Sequence, residues 1–324
     1  MVVAQNLWLH DMLLKSFLKN GFSKTNENKS WELTDLQYLH LSDSLAQGFL
    51  DFTKHPIYRK QFFELEVSLI HEQARMIAKT IGEEAFNLFD VYCGDGLKAV
   101  EFVKALNKYG DKPINIRYCP LNPSQLLIDT AVKNMQKAGL PNVVEYHPAL
   151  SSGHGDSLRY LGRQLRTAEF SKHVVLLLGG VIACFEINEY LFELRRDLLR
   201  DDTVIIGNGV RVGERLVDIN KYKDPVFHIW FKHLMFGLGF NEKDITFDAR
   251  FGNSRVEFLY KLKTSAKKKV GEKTIEFKPG DEFVIAGLYK YYSEEFSKFC
   301  KMYFANSQVV TNKENEYALV VCKK

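Results

Sequence analysis

The residues with the clearest chemical potential lie in Phe89–Val100, "FDVYCGDGLKAV". An apolar run ends there, two glycines follow, and a helical pattern begins. Gly94 and Gly96 carry no β-carbon, so backbone can approach a ligand closely at both. Asp95 and the unpaired amides at the start of the helix add hydrogen-bonding capacity, the usual equipment for holding a nucleotide-like cofactor. Tyr92 stands where the first glycine of such a turn usually sits. Cys93 lies at the helix start, where a thiolate would be stabilised, although simple packing is the favoured role.

Such a turn needs a strand before it, a helix after it and a sheet to carry both. Residues 1 to about 84 read as helical, with apolar residues three and four apart in "LSDSLAQGFLDFTKHP" and "YRKQFFELEVSLIHEQARMIAKTIG". From Phe86 short apolar runs alternate with helical segments: "AFNLFDVY", "INIRYC", "NVVEYH", "HVVLLLGG" and "DTVIIGNG". The helices between them include Leu97–Tyr109, Pro123–Ala138 and Glu186–Leu199. Apolar strands separated by helices predict an α/β fold, a doubly wound parallel sheet covered on both faces. A helical segment, "DPVFHIWFKHLMFGLGF", then precedes alternating stretches that read as antiparallel strands, and "SEEFSKFCKMYF" and "YALVVCKK" close the chain. The expected organisation is an N-terminal helical region (1–84), a core (85–212), an insertion with antiparallel strands (213–290) and a C-terminal helix and strand returning to the core (291–324).

Composition narrows the class. The 324 residues are 46% hydrophobic and 26% charged, ordinary for a soluble globular protein. A net charge of +4 is mild and gives no reason to expect a nucleic-acid or membrane partner. Five cysteines without a C-x-x-C pair argue against a zinc site or a disulfide framework and for a reducing, cytoplasmic setting. The opening "MVVAQNLWLHDMLLKSFLKNGF" reads as an amphipathic helix and not as a signal peptide, and no apolar run is long enough to span a bilayer. His228 and His233 stand among aromatics at irregular helical spacing, which favours packing over metal ligation. His147 and His154 flank a loop and read as solvated, and "AKKKVGEK" as a solvated connection between strands.

The spacing D-x-x-x-G-x-G fits the turn of adenosylmethionine-dependent methyltransferases better than the dinucleotide fingerprint G-x-G-x-x-G. By itself it is equally the signature of a strand-to-helix turn whose glycines relieve crowding. The order of further motifs says more: "CGDGLKAVEFVKAL", "RYCPLNPSQLLIDTAVKNM", "LLLGGVIACFEINEYLFELRRDL", "DDTVIIGNG", "GNSRVEFLYK", "LYKYYSEEF" and "YALVVCKK". From about Asp35 onward this series resembles the histidine-specific methyltransferase family, which includes the enzyme making histidine betaine for ergothioneine biosynthesis. The resemblance implies a class I methyltransferase fold, adenosylmethionine as cofactor, and a substrate-binding domain built from the N-terminal helices and the late antiparallel strands.

Carried over residue by residue, it implies a cofactor site of Tyr92, Gly94, Asp95, Gly96, Lys98, Asn122, His147 and Gly179, a substrate site of Cys184, Asn208, Ala286 and Leu288, and catalytic positioning by Tyr222 and Tyr58. Several of these depart from the family pattern. Tyr92 replaces a glycine and would crowd the methionyl end of the cofactor or turn away. Asn122 replaces the acidic residue that meets the ribose hydroxyls, keeping an acceptor but losing its charge, and His147 replaces the aspartate at the adenine amino group. Cys184 replaces the asparagine that holds the substrate's amino and carboxyl groups, and Ala286 and Leu288 replace the acidic and hydroxyl residues that grip imidazole. The expected activity is therefore N-methylation of a small amine or amino acid other than free histidine. The alternative is a degenerate homologue that kept the fold and serves as a binding or regulatory subunit with a protein partner.

Overall fold

The computed structural model describes residues 2–25, 27–109, 113–151, 156–211, 217–304 and 306–324; His154 lies outside them. The chain forms two compact units, Met1–Phe52 with Val217–Tyr289, and Thr53–Leu216 with Lys290–Lys324.

The second unit is built on an eight-stranded sheet. Seven of its strands are labelled here in chain order: β1 (Phe86–Val91), β2 (Ile116–Asn122), β3 (Val143–Tyr146), β4 (Lys172–Leu177), β5 (Thr203–Gly209), β6 (Asn306–Thr311) and β7 (Tyr317–Lys323). Every residue of β1 and β2 is buried, which is why both read as near-continuous apolar runs without alternation. The spatial order is β3-β2-β1-β4-β5-β7-β6. The first five are mutually parallel, with Phe86 beside both Ile116 and Lys172, and β7 runs antiparallel to β5 with Tyr317 opposite Gly209. Ala149–Leu150 forms the eighth strand, alongside Leu121–Asn122. Successive strands thus add on one side of β1 and then on the other. The turns leaving β1 and β4 face each other across that reversal, where sheets of this kind bind ligands.

Two helices fix those turns. Leu97–Asn107 starts at Gly96 and buries Ala99, Val100, Phe102 and Val103 against Leu88, Tyr118, Leu176, Ile205 and Leu319 of the sheet. Gln125–Lys137 is capped by Ser124, whose hydroxyl accepts from the Leu127 amide at 3.4 Å. The two helices meet at Gly96, where an added β-carbon would lie 2.7 Å from Ala131 Cα. Gly96 also has φ 73°, so this position needs glycine for conformation and for space. At the start of the segment between β5 and the last helix, Arg211 N donates to Tyr291 O at 2.8 Å.

The first unit carries a five-stranded sheet in the order Phe22–Thr25, Asn28–Glu32, Glu282–Tyr289, Arg255–Leu262, Ile245–Gly252. Its helix Val226–Gly237 is apolar almost all round and buries Phe227, Trp230, Phe231, Leu234 and Met235; the Trp230 indole donates to Leu39 O at 3.2 Å.

Two expectations are corrected here. The region 1–84 is not helical throughout, because Phe22–Thr25 and Asn28–Glu32 pair as strands. Their short alternation is stabilised by a distant partner, since Asn28–Glu32 continues in parallel register onto Glu282–Val284 and buries Trp31. "AKKKVGEK" is not a loose connection. Ala266–Val270 pairs with Lys273–Phe277 in a hairpin that turns at Gly271, with Val270, Ile275 and Phe277 inward and Lys267 and Lys269 outward.

Candidate active site

At the end of β1 the backbone keeps a glycine's shape without a glycine. Tyr92 has φ 54°, a left-handed conformation that costs a non-glycine residue about 1–2 kcal/mol. The residue is 8% exposed, and its ring lies 6.3 Å from Phe185, which stacks on Tyr190 at 4.8 Å. The ring is packed against Phe185 and not turned out to solvent. Gly94 follows with φ 56°. Asp95 Oδ1 accepts from the Leu97 amide at 3.1 Å, and burial raises the Asp95 carboxyl above its ordinary range against the pull of that amide and of Lys98. Cys93 packs with Ile128 and Ala131, and burial holds its thiol neutral, which agrees with the packing role.

A second acid opens the D-x-x-x-G-x-G spacing but was given no role in sequence. Asp90 is buried on β1 and accepts from the Tyr118 hydroxyl at 2.7 Å. Burial pushes its carboxyl up to about 7, with the Tyr118 hydrogen bond opposing the rise. Glu66 escaped the sequence reading. Its side chain, fully buried, takes the Gly179 amide on both oxygens at 2.9 Å, the Tyr317 hydroxyl at 2.6 Å and the Lys98 ammonium. A signal was present, because Glu66 sits on the apolar stripe Phe63, Ile70, Ala74, Ile77 of its helical segment, where a charge needs partners. Burial alone would lower the Lys98 pKa, but the Glu66 carboxylate outweighs it and Lys98 stays charged. Lys98 Nζ lies 5.9 Å from the centre of the Tyr58 ring. Burial raises the Tyr58 phenol, opposed by Lys98, so this hydroxyl keeps its proton at neutral pH. The second unit thus brings Tyr58, Lys98 and Gly179 together around Glu66.

Asn122 ends β2, fully buried. Its Oδ1 accepts from Ser124 N at 2.9 Å, while its Nδ2 has no hydrogen-bond partner among the described residues. One of the two lone pairs of the oxygen expected to meet a ribose is therefore engaged, and the amide's donor is left unpaired. His147 is exposed and is anchored through its backbone, N to Tyr118 O at 2.8 Å. Cys184 lies half-buried with its sulfur 4.0 Å from Gly180 O, and burial pushes its thiol up to about 12, opposed by Lys290. Asn208 on β5 is fully buried, and neither atom of its amide is hydrogen-bonded among the described residues.

In the first unit, Tyr222 stacks on Phe227 at 6.2 Å and meets the Phe258 ring edge-on at 6.0 Å. Phe258 pairs across the sheet with Ala286, and Leu288 pairs with Val256 two residues further along the same face. Tyr222, Ala286 and Leu288 thus share one aromatic and aliphatic surface. His228 bonds the Tyr260 hydroxyl at 2.7 Å and Glu242 at 3.1 Å, and His233 packs so near Gly48 that a β-carbon there would lie 2.6 Å from its ring. Among the described residues no group of three or more His, Cys, Asp or Glu side chains could hold a metal ion.

A glycine turn at the reversal point, a buried unpaired donor at the end of the neighbouring strand and left-handed glycines at 179 and 180 after β4 fit a cofactor with a nucleoside and a polar tail. With the strand order given above, they define a class I adenosylmethionine-dependent methyltransferase. The chain belongs to the histidine-specific, adenosylmethionine-dependent methyltransferase family, whose family model matches residues 46–324. Among solved structures it is similar to the PH0226 protein from Pyrococcus horikoshii OT3 at 15% identity and TM-score 0.44, over 86% of this chain and 98% of that one. It is also similar to magnesium protoporphyrin IX methyltransferase (ChlM) from Synechocystis PCC 6803 with bound SAH, at 10% identity and TM-score 0.43 over 86% and 94%. DesVI from Streptomyces venezuelae is similar at 11% identity and TM-score 0.35, over 87% and 97%. No curated protein matches the chain.

Proposed function

We propose that this methyltransferase acts on the nitrogen of a small amine or amino acid other than free histidine. The observation that carries the reading is the surface around Ala286, where Phe258, Leu288 and Tyr222 offer no carboxylate and only one hydroxyl to an imidazole. Such a surface leaves an imidazole's two nitrogens poorly partnered and favours an apolar side chain. Cys184 supports it, because a neutral thiol cannot replace an amide's donors and acceptor.

Bound adenosylmethionine would supply an electrophilic methyl group on sulfur. Asn122 Nδ2 would donate to a ribose oxygen, the glycine turn at 94–96 would let backbone close on the cofactor, and Tyr58 would orient the acceptor nitrogen. Because its phenol keeps its proton, Tyr58 acts by hydrogen bonding and not as a base. The amine must then arrive neutral, which an apolar surface favours by depressing its pKa. Acceptor recognition is assigned to the first unit with Tyr222, cofactor binding to the second with Gly94, Asp95, Gly96, Lys98 and Gly179, and the compartment to a reducing cytoplasm, for which the five free cysteines speak. No described helix is long and apolar enough to cross a membrane.

The test is methyl transfer from labelled adenosylmethionine to a panel of amines and amino acids that includes histidine. Transfer to acceptors with apolar side chains, with histidine slowest, is expected; histidine as the best acceptor would overturn the reading. One observation favours the second reading, a degenerate homologue working through a protein partner: a buried tyrosine ring, Tyr92, at the position where such turns carry a glycine. Calorimetric titration with adenosylmethionine separates the two. A folded, cofactor-free protein that binds nothing at about millimolar ligand belongs to the second reading.

A further inference from the structure

Glu66 has no assigned role, yet it is the most heavily bonded buried charge beside the turns that leave β1 and β4. It comes from the helix Glu64–Glu72, outside the sheet, and its carboxylate joins three separate elements. The Gly179 amide belongs to the turn after β4, Lys98 to the helix after the glycine turn, and Tyr317 to β7. The fold makes room for it: a β-carbon on Gly207 of β5 would lie 1.8 Å from Glu66 Oε1. Gly179 and Gly180 are both left-handed, with φ 78° and 74°, so the turn depends on such a bond to hold one shape. Glu66 is closed to water, with its side chain 0% exposed, while the Lys98 side chain keeps 12% exposure.

We propose that Glu66 is a positioning residue for the amino-acid end of the cofactor, holding the Lys98 ammonium and the Gly179 turn in one fixed arrangement. The inference rests on the cofactor reading above. With Asn122 at the end of β2 taking the nucleoside, a ligand spanning the reversal point has its tail on the β4 side, where Lys98 and Gly179 lie. Glu66 does not face the cofactor; it sets the charge and the backbone that do. The Gly179 amide, spent on Glu66, is not available to the ligand, and Lys98 presents a charge already partly satisfied by Glu66.

Two probes read this out: adenosylhomocysteine, which has the amino-acid tail, and 5′-methylthioadenosine, which lacks it. Titrations of the wild-type chain, Glu66→Gln and Tyr317→Phe are compared, with circular dichroism to verify folding. Glu66→Gln is expected to weaken adenosylhomocysteine about tenfold and leave methylthioadenosine within about twofold. Tyr317→Phe removes one donor to Glu66 and keeps the buried ring, so it gives the same selective loss at about threefold and carries the test if Glu66→Gln does not fold. Equal loss of both probes would reduce Glu66 to a general structural anchor and overturn the proposal, as would unchanged binding of both. A wild-type chain that binds neither probe overturns the cofactor reading, and the proposal falls with it.

Discussion

Tyr92 and Asp90 sit within three residues of each other and are both costly where they stand. Tyr92 holds a left-handed backbone that glycine would adopt freely, and its ring is buried beside Phe185. Tyr92→Gly should relieve about 1–2 kcal/mol of backbone strain and free the space the ring fills. The expected result is adenosylhomocysteine binding tightened about tenfold by calorimetry, with thermal stability lowered by the lost ring. Unchanged affinity would place the ring outside the cofactor's volume. Asp90 carries a pH signature. Its folded pKa of about 7 lies above its ordinary value, so its contribution to stability is complete below about pH 4 and is lost as pH rises through 7. Asp90→Asn mimics the protonated form and can still accept from Tyr118. The stability difference between variant and wild type should therefore grow from pH 4 to 7, level off above that, and reach on the order of 4 kcal/mol. Urea titrations across that range measure it, and a pH-independent difference would refute the buried neutral acid.

At the scale of elements, the glycine turn works because two helices cross on it. Gly96→Ala places a β-carbon 2.7 Å from Ala131 Cα and forces a left-handed φ on alanine. A loss of about 2 kcal/mol or more is expected in denaturant unfolding, with cofactor binding weakened in step. A loss under about 0.5 kcal/mol would mean that the helices can part. This element was legible in sequence, since apolar run, glycines and helix pattern lie within a dozen residues and each is decided locally. The strands Phe22–Thr25 and Asn28–Glu32 were not. Their stability comes from Glu282–Tyr289, and no local pattern encodes a partner so far along the chain.

For the whole molecule, the chain leaves the core unit after β5 and returns to it before the last helix, where Arg211 meets Tyr291 and Tyr292. Because the two crossing points touch, the excursion can be removed without stretching the sheet. A chain starting at Thr53, with residues 213–289 replaced by a short Gly/Ser linker, should fold cooperatively and bind adenosylhomocysteine while losing methyl transfer. An insoluble product, or one without a cooperative thermal transition, would show that the core depends on the other unit.

Sequence alone determined the sheet, the glycine turn and the family, because each depends on short-range periodicity, glycine spacing or motif order. It named Tyr58, Lys98 and Gly179 separately, and Tyr222, Ala286 and Leu288 likewise. Only the tertiary structure showed that the first three meet around Glu66 and that the others share one apolar face. It alone decided that Tyr92 is buried against Phe185, that Asn122 keeps an unpaired donor, and that burial raises the Asp90 carboxyl to about 7. The physical reason is the same in each case. Burial and hydrogen-bond partners set a side chain's orientation and charge, and those partners come from segments far apart in the chain.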